Sequence, residues 1–323
     1  MPVLTLLVAC SLPVEESAYQ EKLVVFGNLM ANGQTADTIF VSRSFEIEES
    51  HEDQGKWVAD ATVTIFDGDT TFTLAPVAGR PGRYLDQALP RHMILPGWTY
   101  QLDVVLDGDA VTAFTTVPES FSLASSSTDW FCEGAPVPVD SIALYDDEYS
   151  ETAWRQAVAS GDYSALAMDT VIYREGPCYT TSFASIPLFA LEWESFDPTG
   201  IIRVSTLALD DTVTQAIVDS SLAADIFKGH LLVDEEGNHF RPGSFAWNSS
   251  QSFLPFTWLY FNYYGPHLIT VEVTDDHFSE YFEGNPLRQS NFGMPTSNVE
   301  GGFGLFSSSN ARSFFVHVAP DTS

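Results

Sequence analysis

Ala61-Thr62-Val63-Thr64-Ile65-Phe66-Asp67-Gly68-Asp69-Thr70-Thr71-Phe72-Thr73-Leu74 decides the fold of the first third of this chain. From Ala61 to Ile65, Ala, Val and Ile fall on one face and the Thr residues on the other, the period-two pattern of a half-buried strand. Asp67-Gly68-Asp69 has the chemistry of a tight hairpin turn, and Thr71 to Leu74 resumes an extended run. The same texture recurs at Leu23 to Phe26, Thr38 to Ser44, Thr99 to Val105 and Ala110 to Val117, with Asp107-Gly108-Asp109 as a second turn. Six short strands without a helical period between them predict a β-sandwich over residues 22–118.

Pro118-Glu119-Ser120 and Ser125-Ser126-Ser127-Thr128 mark a boundary, and residues 119–323 read as a larger β-rich domain with a few short helices. Helices are expected at Glu151 to Ser160, capped by Ser150 and stopped by Gly161, at Thr212 to Phe227, and at Asp276 to Glu283. Strands are expected at Val139 to Tyr145, Thr170 to Arg174, Leu188 to Glu194, Ile201 to Leu207, Leu231 to Val233, Phe256 to Tyr260, Leu268 to Val273 and Ser313 to Val318. The densest apolar stretch, Phe253 to Val273, is broken by Pro255, Asn262, Gly265, Pro266, His267 and Glu272, so it does not read as a membrane span. Tyr264-Gly265-Pro266-His267 within it reads as a hairpin turn.

Of 323 residues 13 are basic and 44 acidic, a formal charge of −31. A nucleic acid would be repelled by such a surface, which excludes a generic nucleic-acid binder. With 45% hydrophobic and 13% aromatic residues the chain has the core material of a folded protein. The acids are scattered in short clusters and only three lysines occur, Lys22, Lys56 and Lys228. Such a surface suits a saline habitat, and equally the acidic drift of a secreted protein.

The three cysteines are informative by position. Cys10 ends the apolar run Leu4 to Ala9, and Leu7-Val8-Ala9-Cys10 resembles a bacterial lipobox, whose cysteine becomes the lipid attachment point. Residues 1–21 then read as signal, lipobox and tether. Met1-Pro2-Val3 lacks the positive charge that opens a signal peptide, so the expected start lies upstream. In an exported chain Cys132 and Cys178 are left to pair with each other. The bond would close a loop of 46 residues, worth roughly 3–4 kcal/mol in the loop-entropy model. The alternative is two separate buried thiols.

No G-x-S-x-G elbow, H-E-x-x-H, phosphate-binding loop or Rossmann fingerprint is present, and the seven histidines show no ligand spacing. No metal, cofactor or catalytic residue is therefore assigned. Asp67/Asp69 and Asp107/Asp109 read as hairpin chemistry in preference to calcium ligands. An Asp/Glu pair for hydrolysis leaves no sequence fingerprint. Aromatic residues beyond the boundary are the better clue, and Trp247, Trp258, Tyr260 and Tyr264 form the candidate ligand-contact group, with core packing as the alternative.

Pro81-Gly82-Arg83-Tyr84 and Pro96-Gly97-Trp98-Thr99-Tyr100 resemble an element of Ig-like and transthyretin-like sandwiches, modules that bind or space. Gly284-Asn285-Pro286 and Pro295-Thr296-Ser297-Asn298-Val299-Glu300-Gly301-Gly302-Phe303-Gly304-Leu305-Phe306 resemble the closing signature of a Bacteroidota lipoprotein family, domain of unknown function 4249. The lipobox, the Glu21 to Val25 strand and the short helix before the signature share the resemblance. It implies an outer-membrane, lipid-anchored protein with a TonB-dependent receptor as partner, and it supplies no catalytic residue. In the signature, Phe303 and Phe306 are expected to anchor the segment in the core as a structural clasp, with a ligand loop as the alternative. The expected function is a non-catalytic binding or accessory protein of a TonB-dependent uptake system. An exported hydrolase and a structural or adhesion protein are the alternatives.

Overall fold

The computed structural model describes residues 19–32, 39–46, 56–174, 176–179, 185–193, 202–210, 217, 232–233, 239–240, 244–249, 253–257, 260–261, 263–283 and 295–322. Cys10, Trp258 and nearly all of the expected helix at 212–227 lie outside them.

The protein is mainly β. Its first seven strands are β1 (Leu23–Met30), β2 (Ile39–Arg43), β3 (Thr62–Phe66), β4 (Thr71–Pro76), β5 (Arg83–Leu85), β6 (Thr99–Leu106) and β7 (Asp109–Thr116). The alternation read from residues 61–65 orients β3: Val63 and Ile65 are buried while Thr62 and Phe66 face out. β8 (Leu123–Ala124) follows, then the hairpin of β9 (Thr128–Cys132) and β10 (Ala135–Val139). Helix α1 (Glu151–Ser160) comes next, its first turn capped by Ser150 Oγ, which accepts from Ala153 N at 3.3 Å, and its end marked by Gly161 in the left-handed region.

The remaining strands are β11 (Met168–Tyr173), β12 (Phe189–Trp193), β13 (Ile202–Ala208), β14 (Leu232–Val233), β15 (His239–Phe240), β16 (Ser244–Ser249), β17 (Phe253–Phe256) and β18 (Gly265–Thr274). Helix α2 (Asp276–Glu283) leads toward the last and longest strand, β19 (Phe303–Pro320).

One 12-stranded sheet runs β16-β13-β18-β19-β1-β2-β5-β4-β3-β6-β7, with β11 also on β19. β19 joins its two parts. Residues 303–309 lie parallel to β1, from Val24 opposite Phe303 to Met30 opposite Ser309. Residues 309–318 lie antiparallel to β18, and from Phe315 onward β11 pairs in parallel. At the far edge, β7 is tied back to the chain just before β19 by two hydrogen bonds between Thr112 and Glu300, of 3.2 and 2.8 Å.

The sandwich core therefore contains residues from both ends of the chain: Val299 and Phe306 are buried among Val25, Ile39, Tyr84 and Leu102. A second core gathers Phe189, Phe256, Phe261, Val271 and Phe314. Where the parts meet, β19 buries Ser307, Ser308, Ser309 and Asn310, small side chains that let backbones approach. Their polar atoms are partnered, as burial requires. Thr115 Oγ1 and Ser308 Oγ share a hydrogen bond of 2.6 Å, Asn28 Nδ2 donates to Ser309 Oγ at 3.1 Å, and Asn310 Nδ2 to the Pro118 carbonyl at 3.0 Å. Asp275 accepts from the Thr115 hydroxyl, from Ser308 N at 3.1 Å and, as the cap of α2, from Phe278 N at 3.0 Å.

Three local expectations differ from the structure. The strand expected at Val139 to Tyr145 ends at Val139, because its register belongs to the β9–β10 hairpin. The strand expected at Phe256 to Tyr260 ends at Phe256, and Tyr260 N turns back onto the Thr257 carbonyl at 3.1 Å. The turn expected at Tyr264 to His267 lies largely inside β18, where Gly265 to His267 are paired with β19.

Candidate functional site

β11 has β19 on one edge and, among the described residues, no strand on the other. Along that open edge runs a cavity of about 250 Å³, walled by residues 138–142 and 186–188. Its polar lining includes Asp140, Asp169, Arg174 and Tyr179. Arg174 Nη1 donates to Tyr179 OH at 3.5 Å. That hydrogen bond, outweighing burial and joined by the charges of Asp321 and Asp140, holds the guanidinium above its usual range, so it is a permanent cation. Asp169 braces the opposite wall: its Oδ2 accepts from Ala143 N at 2.9 Å and its Oδ1 from Thr170 N at 2.8 Å.

Cys132 and Cys178 form a disulfide with Cα atoms 5.7 Å apart. It fastens the segment carrying Tyr179 to the end of β9. The Cys178 carbonyl then accepts from Ile186 N at 3.0 Å and Ser185 Oγ at 3.3 Å, which ties the wall at residues 186–188 to the disulfide. The result is a cleft with one cation, two carboxylates and a phenol on a covalently braced frame, an arrangement that suits recognition of a polar ligand.

Of the aromatic group expected to meet a ligand, Tyr260 and Tyr264 have described side chains, and Trp258 lies outside the described residues. Tyr260 is only 4% exposed and packs on Phe256 with ring centroids 4.9 Å apart; burial pushes its hydroxyl up to about 12. It is a core residue, because the chain turns at Thr257 and aims the ring inward. Tyr264 is half-buried and meets Tyr173 edge-on, with centroids 5.7 Å apart. Since Tyr173 lines the cleft, Tyr264 supports its wall from behind. Trp247 lies on β16, opposite Val204 of β13.

The residues that do line the cleft carry no motif. Asp140, Asp169, Arg174 and Tyr179 come from a strand edge and two connections, and their meeting depends on β11 pairing with a strand nearly 150 residues away. Among the described residues, no group of three or more His, Cys, Asp or Glu is arranged to hold a metal ion.

The glycine-rich segment near the C-terminus works as a clasp. Asn298 Nδ2 donates to the Phe306 carbonyl at 2.6 Å and the Phe114 carbonyl at 2.9 Å, while its Oδ1 accepts from Phe306 N at 3.0 Å. Gly301 has φ 84°, and a Cβ there would meet the Ala110 carbonyl oxygen at 2.7 Å, so β7 can approach only a glycine. Phe306 is fully buried, as an anchor should be. Phe303 is not: it is half-buried and faces a second concavity, because in the unbroken register with β1 it stands three positions before Phe306 and so takes the opposite face of the strand. No curated protein matches the chain in sequence. The model of the domain of unknown function DUF4249 matches residues 10–314, and the chain belongs to that family.

Proposed function

We propose that this protein is a non-catalytic, lipid-anchored binding or accessory protein of the outer membrane, held by acylated Cys10 and serving a TonB-dependent uptake system. The observation that carries this reading is the bond between Cys132 and Cys178. A structural disulfide belongs to an oxidising compartment. It also leaves Cys10 as the one remaining thiol of three, at the end of an apolar run where a lipobox cysteine is acylated. The cleft along β11 is the contact region in this reading, with Arg174 and Tyr179 as its donors.

Asp140 and Asp169 line the same cleft, which favours hydrolysis as a second reading. It ranks behind because both oxygens of Asp169 already brace backbone amides.

Expression in an envelope-bearing host behind a complete leader tests the anchor. The protein should incorporate labelled palmitate and fractionate with the outer membrane, and Cys10→Ala should end both. Undiminished membrane association of Cys10→Ala would overturn the anchor. Turnover of a polysaccharide or peptide that Asp140→Asn abolishes would overturn the non-catalytic part.

A further inference from the structure

On the outer face of β1 and the start of β19 lies a shallow groove of about 810 Å³. Phe26, 39% exposed, meets Tyr281 of α2 edge-on with centroids 5.9 Å apart. Tyr19, Phe45 and Phe303 complete its aromatic walls. The β1 pattern buries Leu23 and Val25 and turns Phe26 outward, so this ring has no place in the sandwich core. Phe26 and Tyr19 are exposed and Phe45, Phe303 and Tyr281 half-buried around them, the kind of patch that marks a binding surface.

The charges around the groove are unequal. Glu21 takes both of the nearest other cations, with Oε1 at 2.7 Å from Lys56 Nζ and Oε2 at 3.2 Å from Arg43 Nη1. Lys22 is left over. Its ammonium sits 5.3 Å from the centre of the Phe303 ring and has no carboxylate within ion-pair distance among the described residues. In a chain of net charge −31 with three lysines, that is an unusual place for a cation without a counter-ion.

We propose that this groove binds a small amphiphile carrying one negative charge, its apolar body on Phe26, Tyr281 and Phe303 and its anionic head on Lys22. The groove's volume is that of a small-molecule site. One spare cation matches one anionic group, and the acidic surface beyond it repels polyanions and anionic bilayers alike. The site lies apart from the β11 cleft and does not depend on the lipid anchor.

The test uses purified protein carrying Cys10→Ser, so that no acyl chain of its own competes, with decanoate and decanol titrated calorimetrically. Decanoate should bind about tenfold more tightly than decanol, the ratio expected of one charge-assisted contact. Lys22→Gln should erase that preference while leaving decanol binding in place, and Phe26→Ala should weaken both ligands. Equal binding of decanoate and decanol by the Cys10→Ser protein, or a preference that survives Lys22→Gln, would overturn the assignment. So would tighter retention on phosphatidylglycerol vesicles than binding of free decanoate, which would make the groove a membrane contact. A concentration-dependent dimer lost in Phe26→Ala would overturn it in favour of self-association.

Discussion

The sandwich and the second half of the molecule are built from the same kind of strand but assembled by different rules. In the sandwich, β3 pairs with β4 and β6 with β7 across turns of a few residues. In the second half the organising strand is β19, whose partners β1, β11 and β18 are scattered from the beginning of the chain to its last third. Hairpin pairing closes short loops and is specified by alternation and turn chemistry. Parallel pairing of distant segments closes long loops and is specified by nothing local. The two regions are nevertheless one body, because β19 belongs to both.

Phe306→Ala is the strongest challenge to that joint ownership. The ring is fully buried in the sandwich core, and its loss should cost about 3–5 kcal/mol. Because the same strand pairs with β18, urea denaturation should show one transition, displaced to lower denaturant. Two separated transitions, with the second half unshifted, would mean that the regions fold independently.

His267 distinguishes the second half from the first by pH. Its ring is 1% exposed, Nδ1 lies 3.0 Å from the Gly265 carbonyl oxygen, and Nε2 has no hydrogen-bond partner among the described residues. Burial pulls its pKa down to about 4, with the nearby His317 acting the same way and the Gly265 carbonyl opposing. A folded value below the unfolded one means stability that is present above pH 6.5 and lost as the pH falls through about 4. The loss from this one group should reach about 3 kcal/mol. Comparing denaturation midpoints of the native protein and His267→Leu across this window isolates it. Equal pH slopes in the two proteins would assign the acid sensitivity elsewhere.

The smallest effect probes the seam. Asp275 caps α2 and also ties Thr115 of the sandwich to Ser308 of β19. Burial is the largest influence on its carboxyl and raises the pKa, against the hydrogen bonds from Thr115, Phe278 and Ser308 and the charge of His277. The sign is therefore opposite to that of His267: the stabilising contribution is complete below the ordinary carboxylate value and lost as the pH rises through the raised folded one. At pH 7, Asp275→Asn removes the buried charge and keeps one accepting oxygen for the Thr115 hydroxyl and Ser308 N, but loses the one that caps Phe278 N, and should cost about 1 kcal/mol. Asp275→Ala leaves three donors without their acceptor and should cost about 2 kcal/mol. Equal melting temperatures for the two variants would show that the hydrogen bonds across the seam contribute nothing.

Much of this was legible in residue order. Alternation at residues 61–65 and the Asp-Gly turns at 67–68 and 107–108 specify two hairpins, since a strand that buries one face has a single workable register. Ser150 and Gly161 bracket α1 because a helix end needs an acceptor and then a residue tolerant of the left-handed region. The candidate sites were another matter. Tyr260 is carried inward by the turn at Thr257, which no strand pattern foretells, whereas the outward place of Phe303 follows from strand alternation alone, since it lies three positions from the buried Phe306. Arg174, Tyr179 and Lys22 are single polar residues without spacing or motif, and each acquires a role from what stands across from it.

Strand periodicity, turn residues, caps, net charge and the positions of three cysteines are properties of short windows, in which each residue's conformational preference acts on its immediate neighbours. Which strands lie side by side, which face of β19 meets which core, and which lysine lacks a counter-ion are relations between segments hundreds of residues apart. Those relations were settled when burying the apolar faces of both halves required one strand to serve them together, since a chain closes such long loops only for the free energy of the whole assembly.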